Sequence, residues 1–419
     1  MTWEVYRYFD YGWIKRYYID PQFFFTYYGF DWIQPWPGDG MYWHFYLMGA
    51  LAICIAIGFA YRLVMPLFFL AFTYVFLLDQ TNYLNHFYLI SLISLLLCFV
   101  PAHRAFSIDA RLHPSIRSKV APAWAVYLIP AQIAIVYIFG GIAKLNGDWL
   151  QGEPMRIWLS ERTDFPIIGR WFTEEWMVYL FSYGGLFIDL FVVPLILWRR
   201  TRWFAVTILL SFHLLNMQLF SIGIFPWFMI ATTPLFFPPH WFERIAYFRR
   251  PEVLPTFRVS RVIFAGLALY FAVQIALPLR HFFYPGDVNW TEEGHTFAWH
   301  MKLRDKAGEA NFTVYDPVSD RTWAIDRSEF LTRRQSREIS GHPDMILLFA
   351  HYLADLWHSN GFPQAEVYVE AQISLNGRAP QWMIDPNVDL AQVSRDLAPA
   401  AWILPLYEPL NRDTIIVDQ

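Results

Sequence analysis

The fold the sequence predicts is a polytopic α-helical membrane protein, about eight transmembrane helices long, with a small C-terminal α+β extracytoplasmic domain. Three observations predict it. Hydrophobic residues make up 56% of the 419 and charged residues only 16%, where a soluble domain averages about 25% charged; mean hydropathy is +0.27. Apolar runs near the roughly 20 residues that a crossing helix needs recur from Met41 to Pro278. After Leu279 the composition becomes that of a soluble domain.

Taken in order, residues 1–20 mix aromatics with charges and hold no clean apolar signal-peptide core. Residues 11–40 are rich in Phe, Tyr and Trp and punctuated by Pro21, Pro35 and Pro37, the composition of a belt at headgroup level. The expected spans are 41–61, 63–78, 87–100, 124–143, 176–198, 203–215, 220–237 and 262–278. If they alternate sides, the connections holding Arg62, 104–119, 199–202 and 244–261 collect thirteen Lys and Arg. The opposite connections hold four: Lys144, Arg156, Arg162 and Arg170. Basic residues accumulate on the cytoplasmic side, so Lys144 and the tail after Arg280 are expected outside.

Residues 1–280 are read as the multi-span membrane domain and 281–419 as the extracytoplasmic domain. In the latter, 297–303, 311–315 and 321–326 look like strands, the last two joined by the turn sequence Asp-Pro-Val-Ser. Residues 344–358 carry apolar side chains at helical spacing. Residues 366–375 alternate as a strand with one covered face, and 382–384 is expected to pair with it across Asn376-Gly377.

A net charge of −4 and the lack of a basic tract give no nucleic-acid partner; the bilayer is the partner composition demands. Cys54 and Cys98 lie inside apolar runs as packing residues, with no disulfide framework. No GxSxG, HExxH or Walker loop occurs, and no metal is expected. Polar groups in spans are functional candidates by default, and they gather in four places: 79–86 (with Asn85 and His86), 103–109 (with His103), 144–148 and 213–221. His213 and Asn216, three apart, share a helical face, with Gln218 close by; either ligand binding or interhelical hydrogen bonding explains them. Lys144 ends an apolar span, where a charge near the bilayer centre costs about 2.5–3.5 kcal/mol. Such a lysine is held at an interface, paired, or kept neutral for chemistry.

IVYIFGGIAKLNGDWLQGEPM, FIDLFVV, SFHLLNMQLFSIGIFPWFMIATTPLFF and YVFLLDQTNYLNHFYL, with HTFAWHMKLR, HPDMILLFAHYLADLW, VYVEAQISLNGR and WMIDP in the tail, resemble the vitamin K-dependent gamma-glutamyl carboxylase family, in its short bacterial-type form. The resemblance implies a peptidyl-glutamate carboxylase that uses vitamin K hydroquinone (phylloquinol or menaquinol), O2 and CO2, and releases the quinone epoxide. It puts Lys144 on the base that deprotonates the hydroquinone and His103 on a second important position. Ala102 stands where an asparagine is expected beside that histidine, and Ala143 where a second lysine is. Asn85, His86, His213, Asn216, Gln218, Trp299 and His300 become candidates for holding quinone or substrate, the last two through the HTFAWHMKLR segment. A general base must be unprotonated to act, and Ile138, Phe139 and Ile142 are expected to supply burial. MTWEVYRYFDYG resembles only the end of the family's first membrane helix, as if the start were mis-set or trimmed. The expected partner is a glutamate-containing peptide or protein, met on the periplasmic or lumenal side. The alternatives are a homologue that only epoxidises the quinol, and a non-enzymatic multi-span transporter or quinone-binding protein.

Overall fold

Long apolar segments, with few side chains competing for backbone hydrogen bonds, satisfy their own peptide groups as helices. The computed structural model describes residues 1–220, 222–244 and 260–410; Ser221 and the basic stretch 245–259 lie outside them. The first part runs through α1 (Thr2–Asp10), α2 (Trp13–Tyr18), α3 (Gly40–Ile57), α4 (Tyr61–Leu77), α5 (Asn85–Phe99), α6 (Ile108–Leu112) and α7 (Ala123–Ala143). It continues with α8 (Gly147–Leu150), α9 (Met155–Ser160), α10 (Glu175–Leu197), α11 (Arg202–Leu219), α12 (Phe225–Thr232) and α13 (Arg261–Leu279). Each expected span falls on a helix. Four of them, α3, α7, α10 and α13, are long and apolar enough to cross a membrane. The full count of eight is not reached on that measure. With 17 and 15 residues, α4 and α5 are about 22–26 Å long, short of the roughly 30 Å hydrocarbon core. α11 carries Arg202, His213, Asn216 and Gln218.

α7 and α10 pack closely. A Cβ on Gly141 would lie 2.7 Å from the Leu190 side chain and 3.0 Å from its backbone nitrogen, so only glycine lets the two axes approach this far. α13 is tied in by polar contacts: Tyr270 Oη donates to Gln132 Oε1 at 2.8 Å, and Tyr88 Oη to Gln274 Oε1 at 3.4 Å. Gln132 is fully buried, and hydrogen bonds of this kind hold helices together where lipid removes the hydrophobic incentive.

The second part contains α14 (Val288–Thr291), β1 (Lys306–Asp316), β2 (Arg321–Ala324), α15 (Arg333–Ile339), α16 (Pro343–Ser359), β3 (Glu366–Leu375) and β4 (Gln381–Trp382). The strands form one antiparallel sheet in the order β2-β1-β3-β4. Val367, Val369, Ala371, Ile373 and Leu375 alternate inward from β3 to meet Phe349, Ala350 and Leu353 of α16. Asn376 and Gly377 turn the chain with φ of 53° and 78°. β4 pairs Gln381 with Ile373 and Trp382 with Gln372, whereas Ile384 bridges to Ile403 instead.

Two expectations fail here. Residues 297–303 are not a strand: Phe297, Trp299 and Lys302 all have positive φ, between 52° and 65°, which breaks any ladder. This segment instead plugs Trp299, with no exposed surface, against the ring of Tyr88, centroids 4.9 Å apart. Part of the aromatic stretch 11–40 is also core rather than belt. Phe25 is fully buried in the sheet-domain core, and Phe23 packs on Tyr352 at 4.7 Å. Aromatic richness alone does not separate the two environments.

Polar clamps join the two parts. Gln335 Nε2 donates to Asp79 Oδ2 at 3.0 Å, and Arg334 donates to the Thr81 carbonyl. Burial pushes the Asp79 carboxyl up to about 6, against the hydrogen bonds from Thr81 and Gln335. The strongest clamp is Asp148 on α8. It accepts two bonds of 2.6 Å from Arg378 and one of 2.8 Å from Asn376 Nδ2, four residues after Lys144. Asp148→Asn would leave a buried guanidinium without its counter-charge, a loss of about 3–5 kcal/mol. Thermal unfolding of the detergent-solubilised protein should show it as a lowered midpoint with earlier proteolysis near the sheet domain. An unchanged midpoint would mean the clamp contributes nothing.

Candidate active site

Between α7, α10, α11, α5 and the 292–306 segment lies a cavity of about 1100 Å³. Much of its wall is apolar and aromatic, with Trp149, Trp158, Leu180, Ile188, Phe212 and Phe225. α7 ends at Ala143, and Lys144 is its C-cap. The chain then turns: Asn146 Oδ1 accepts from the Trp149 backbone nitrogen at 2.9 Å and starts α8. This turn folds Lys144 back into the cavity wall. Its Nζ donates to Asp189 Oδ2 at 2.7 Å and to the Gly140 carbonyl at 3.1 Å, and lies 5.2 Å from the Trp149 ring. Both charged side chains are 6% exposed. The tryptophan is itself fixed by a 2.8 Å bond from Nε1 to the Ser182 carbonyl.

Of the three states open to Lys144, the structure shows the paired one. The expected source of its burial needs correction. Ile138 is 39% exposed, pointing away from the lysine by helix geometry, so enclosure comes from α10 and Trp149.

Several other predicted residues meet it at this cavity. His213 is buried, with Nε2 2.8 Å from Tyr137 Oη and Nδ1 without a hydrogen-bond partner among the described residues. Asn216, one turn on, also lines the wall. His86 lines it beside Phe225, ring centroids 5.8 Å apart, and Asn85 Nδ2 donates to the His300 carbonyl at 3.2 Å. His300 borders the cavity with its Nδ1 unpartnered among the described residues. Burial, then the charges of His281 and Arg304, push its imidazole down to about 3, so the ring is neutral.

Three predicted residues are elsewhere. Gln218 is exposed and only its carbonyl is used, by Arg162; two residues past Asn216, it points about 200° away around the helix. Trp299 stands behind the wall, against Tyr88. His103 is not brought to Lys144. It follows α5, whose first residue Asn85 is in the cavity, so the helix's 15 residues put about 22 Å between them. There it stacks on Tyr61 at 5.2 Å and its carbonyl accepts from Ser107 Oγ.

Asp189 and Tyr137 went unmarked in the sequence, although a carboxylate alone in an apolar helix is a signal that could have found Asp189. Glu292, Arg304 and Lys306 also went unmarked, because charges in a soluble-looking segment carry none. They gather at the cavity's outer end: Glu292 accepts from Arg304 Nε and, at 2.6 Å, from Lys306 Nζ. Burial opposes the Glu292 charge, but Arg304 and Lys306 outweigh it and hold the carboxyl well below the usual range. Burial pushes Lys306 down to about 8 despite Glu292. Among the described residues no group of His, Cys, Asp and Glu is placed to hold a metal.

A depressed carboxyl stabilises the fold above its ordinary unfolded value of 4.5 and loses that contribution as pH falls towards the folded value. Glu292→Gln should therefore lower the unfolding midpoint at pH 7, by about 3–5 kcal/mol of stability, with the gap to wild type narrowing below pH 4.5. A gap that stays constant from pH 7 to pH 3 would contradict this.

Two family models match the chain. Residues 1–241 match the HTTM domain, and residues 259–409 match the vitamin K-dependent gamma-carboxylase lumenal domain. No solved structure matches it. The protein is thus an integral membrane protein whose sheet-bearing part is extracytoplasmic. With both matches in sequence along one chain, it belongs to the vitamin K-dependent gamma-glutamyl carboxylase family.

Proposed function

We propose that this protein converts peptidyl glutamate to gamma-carboxyglutamate with CO2 and O2, coupled to epoxidation of a vitamin K hydroquinone, phylloquinol or menaquinol. The observation that carries the reading is Lys144, an amine buried in the wall of a largely apolar cavity with its position fixed from two sides. The cavity fits a lipid-like quinol. Its volume is just above the roughly 300–1000 Å³ typical of ligand pockets, and its aromatic wall suits a fused ring and an apolar tail. His213 and His300 border it with buried nitrogens that lack partners among the described residues, and such groups can bond the oxygens of a ligand.

When bound, the hydroquinone supplies the electrons that reduce O2 and, once oxygenated, a base strong enough to take the gamma proton of glutamate. Lys144 Nζ accepts the proton of the quinol hydroxyl. Trp149 and the Gly140 carbonyl hold that nitrogen in line while the apolar wall keeps water from it. At the outer end, Arg304 and Lys306 exceed Glu292 by one positive charge, which attracts a glutamyl side chain arriving from the extracytoplasmic side. His103 has no part in the proton transfer on this reading.

Lys144→Ala should lower epoxide formation from vitamin K hydroquinone by about 100- to 10,000-fold, the usual worth of a general base. Epoxidation at the wild-type rate would overturn the assignment. His103→Ala should keep turnover within about threefold and cost about 1 kcal/mol of stability through its lost ring stacking.

A further inference from the structure

Apart from Glu175 at its first position, Asp189 is the one charged residue of the 23-residue α10. A carboxylate there is expensive and is kept for a partner or a function. Its partner is Lys144, and both side chains border the cavity. The pair lies against two small residues: a Cβ on Gly140 would stand 3.5 Å from Asp189 Oδ2, and one on Gly185, a turn before Asp189, 4.0 Å from Lys144 Cε, both ordinary contact distances. Among the described residues, Lys144 makes a second hydrogen bond, to the Gly140 carbonyl, and Asp189 is hydrogen-bonded to Lys144.

We infer that Lys144 and Asp189 act as a single proton acceptor, with Asp189 the positioning residue that supplies its second proton site. This rests on the proposal that Lys144 is the base. The proton count carries it. An electrically neutral pair has three acidic protons whether it is ammonium with carboxylate or amine with carboxylic acid. Either form can take a fourth. When it does, the quinol O–H bond breaks, its electron pair stays on the oxygen, and the proton bonds to nitrogen. The pair becomes ammonium with carboxylic acid, of charge +1, beside a substrate oxygen of charge −1. Lys144 therefore need not be a free amine beforehand; an ammonium can receive the quinol proton while passing one of its own to Asp189 along the 2.7 Å contact. An ion pair that merely glues α7 to α10 would hold the helices together without this second site.

The test uses the full chain in detergent or nanodiscs, with vitamin K hydroquinone as substrate and ethylamine as an added base. Asp189→Asn should lower epoxide formation by about 100-fold, in the range of a lost general-base contribution, and Asp189→Glu should recover most of it. The double variant with Lys144→Ala should be no slower than Lys144→Ala alone, because residues acting as a unit are not additive. Ethylamine should partly restore Lys144→Ala, where it can pair with Asp189, and should not restore the double variant. Thermal unfolding checks that each variant is folded; if Asp189→Asn is not, Asp189→Glu and the ethylamine arms decide. Asp189→Asn at the wild-type rate, or ethylamine restoring both variants equally, overturns the inference while leaving Lys144 as base. Wild-type epoxidation by Lys144→Ala overturns the base assignment itself. If ethylamine restores neither variant, the rates of Asp189→Asn and Asp189→Glu decide.

Discussion

A lysine and an aspartate buried at a helix–helix contact constrain the rest of this structure. Neither charge is tolerable alone in an apolar interior, and each is costly to leave behind. The 2.7 Å contact between them joins the end of α7 to α10, and Gly141 is small where a Cβ would run into the side chain and backbone of Leu190 on α10. The chain's exit from α7 is equally constrained. Asn146 caps the next turn, Trp149 closes over the lysine, and Asp148 fastens the same turn to Arg378 and Asn376 of the sheet domain. The position of the amine is thus shared between the membrane part and the extracytoplasmic part.

The cavity draws on both parts of the chain. Helices of the first part contribute aromatic and aliphatic side chains such as Ile188, Phe212 and Phe225, and the second part contributes Glu292, Arg304, Lys306 and His342. On the proposed function, the apolar lining suits a lipid-like reductant and the charged lining a peptide carboxylate, with Lys144 and His300 bordering the same cavity. The charged end is held together internally. Lys306 spends its protons on Glu292 and the carbonyls of Trp290 and Gly341. That leaves the excess positive charge as a field rather than a free hydrogen-bonding hand.

The helices were legible from apolar run length, and β3 from its alternation, because burial on one face writes directly into residue order. Lys144, His213 and Asn216 were legible because a polar group in a membrane run is costly enough to stand out. What failed was orientation and distance. Gln218 is near His213 in sequence but turned away by helical phase, and His103 is separated from Lys144 by the length of α5. Residues 297–303 looked alternating, yet three left-handed backbone positions make them a plug. The 292–306 cluster could not be read at all, since its charges meet only after the chain folds back on itself.

The most direct test of the central claim measures two products together on the purified protein. Vitamin K epoxide and labelled CO2 fixed into the peptide Phe-Leu-Glu-Glu-Leu are followed in the same reaction. The account expects both products, each requiring hydroquinone and each lost in Lys144→Ala. Epoxide without labelled peptide would reduce the protein to a quinol epoxidase, and neither product would contradict the account altogether.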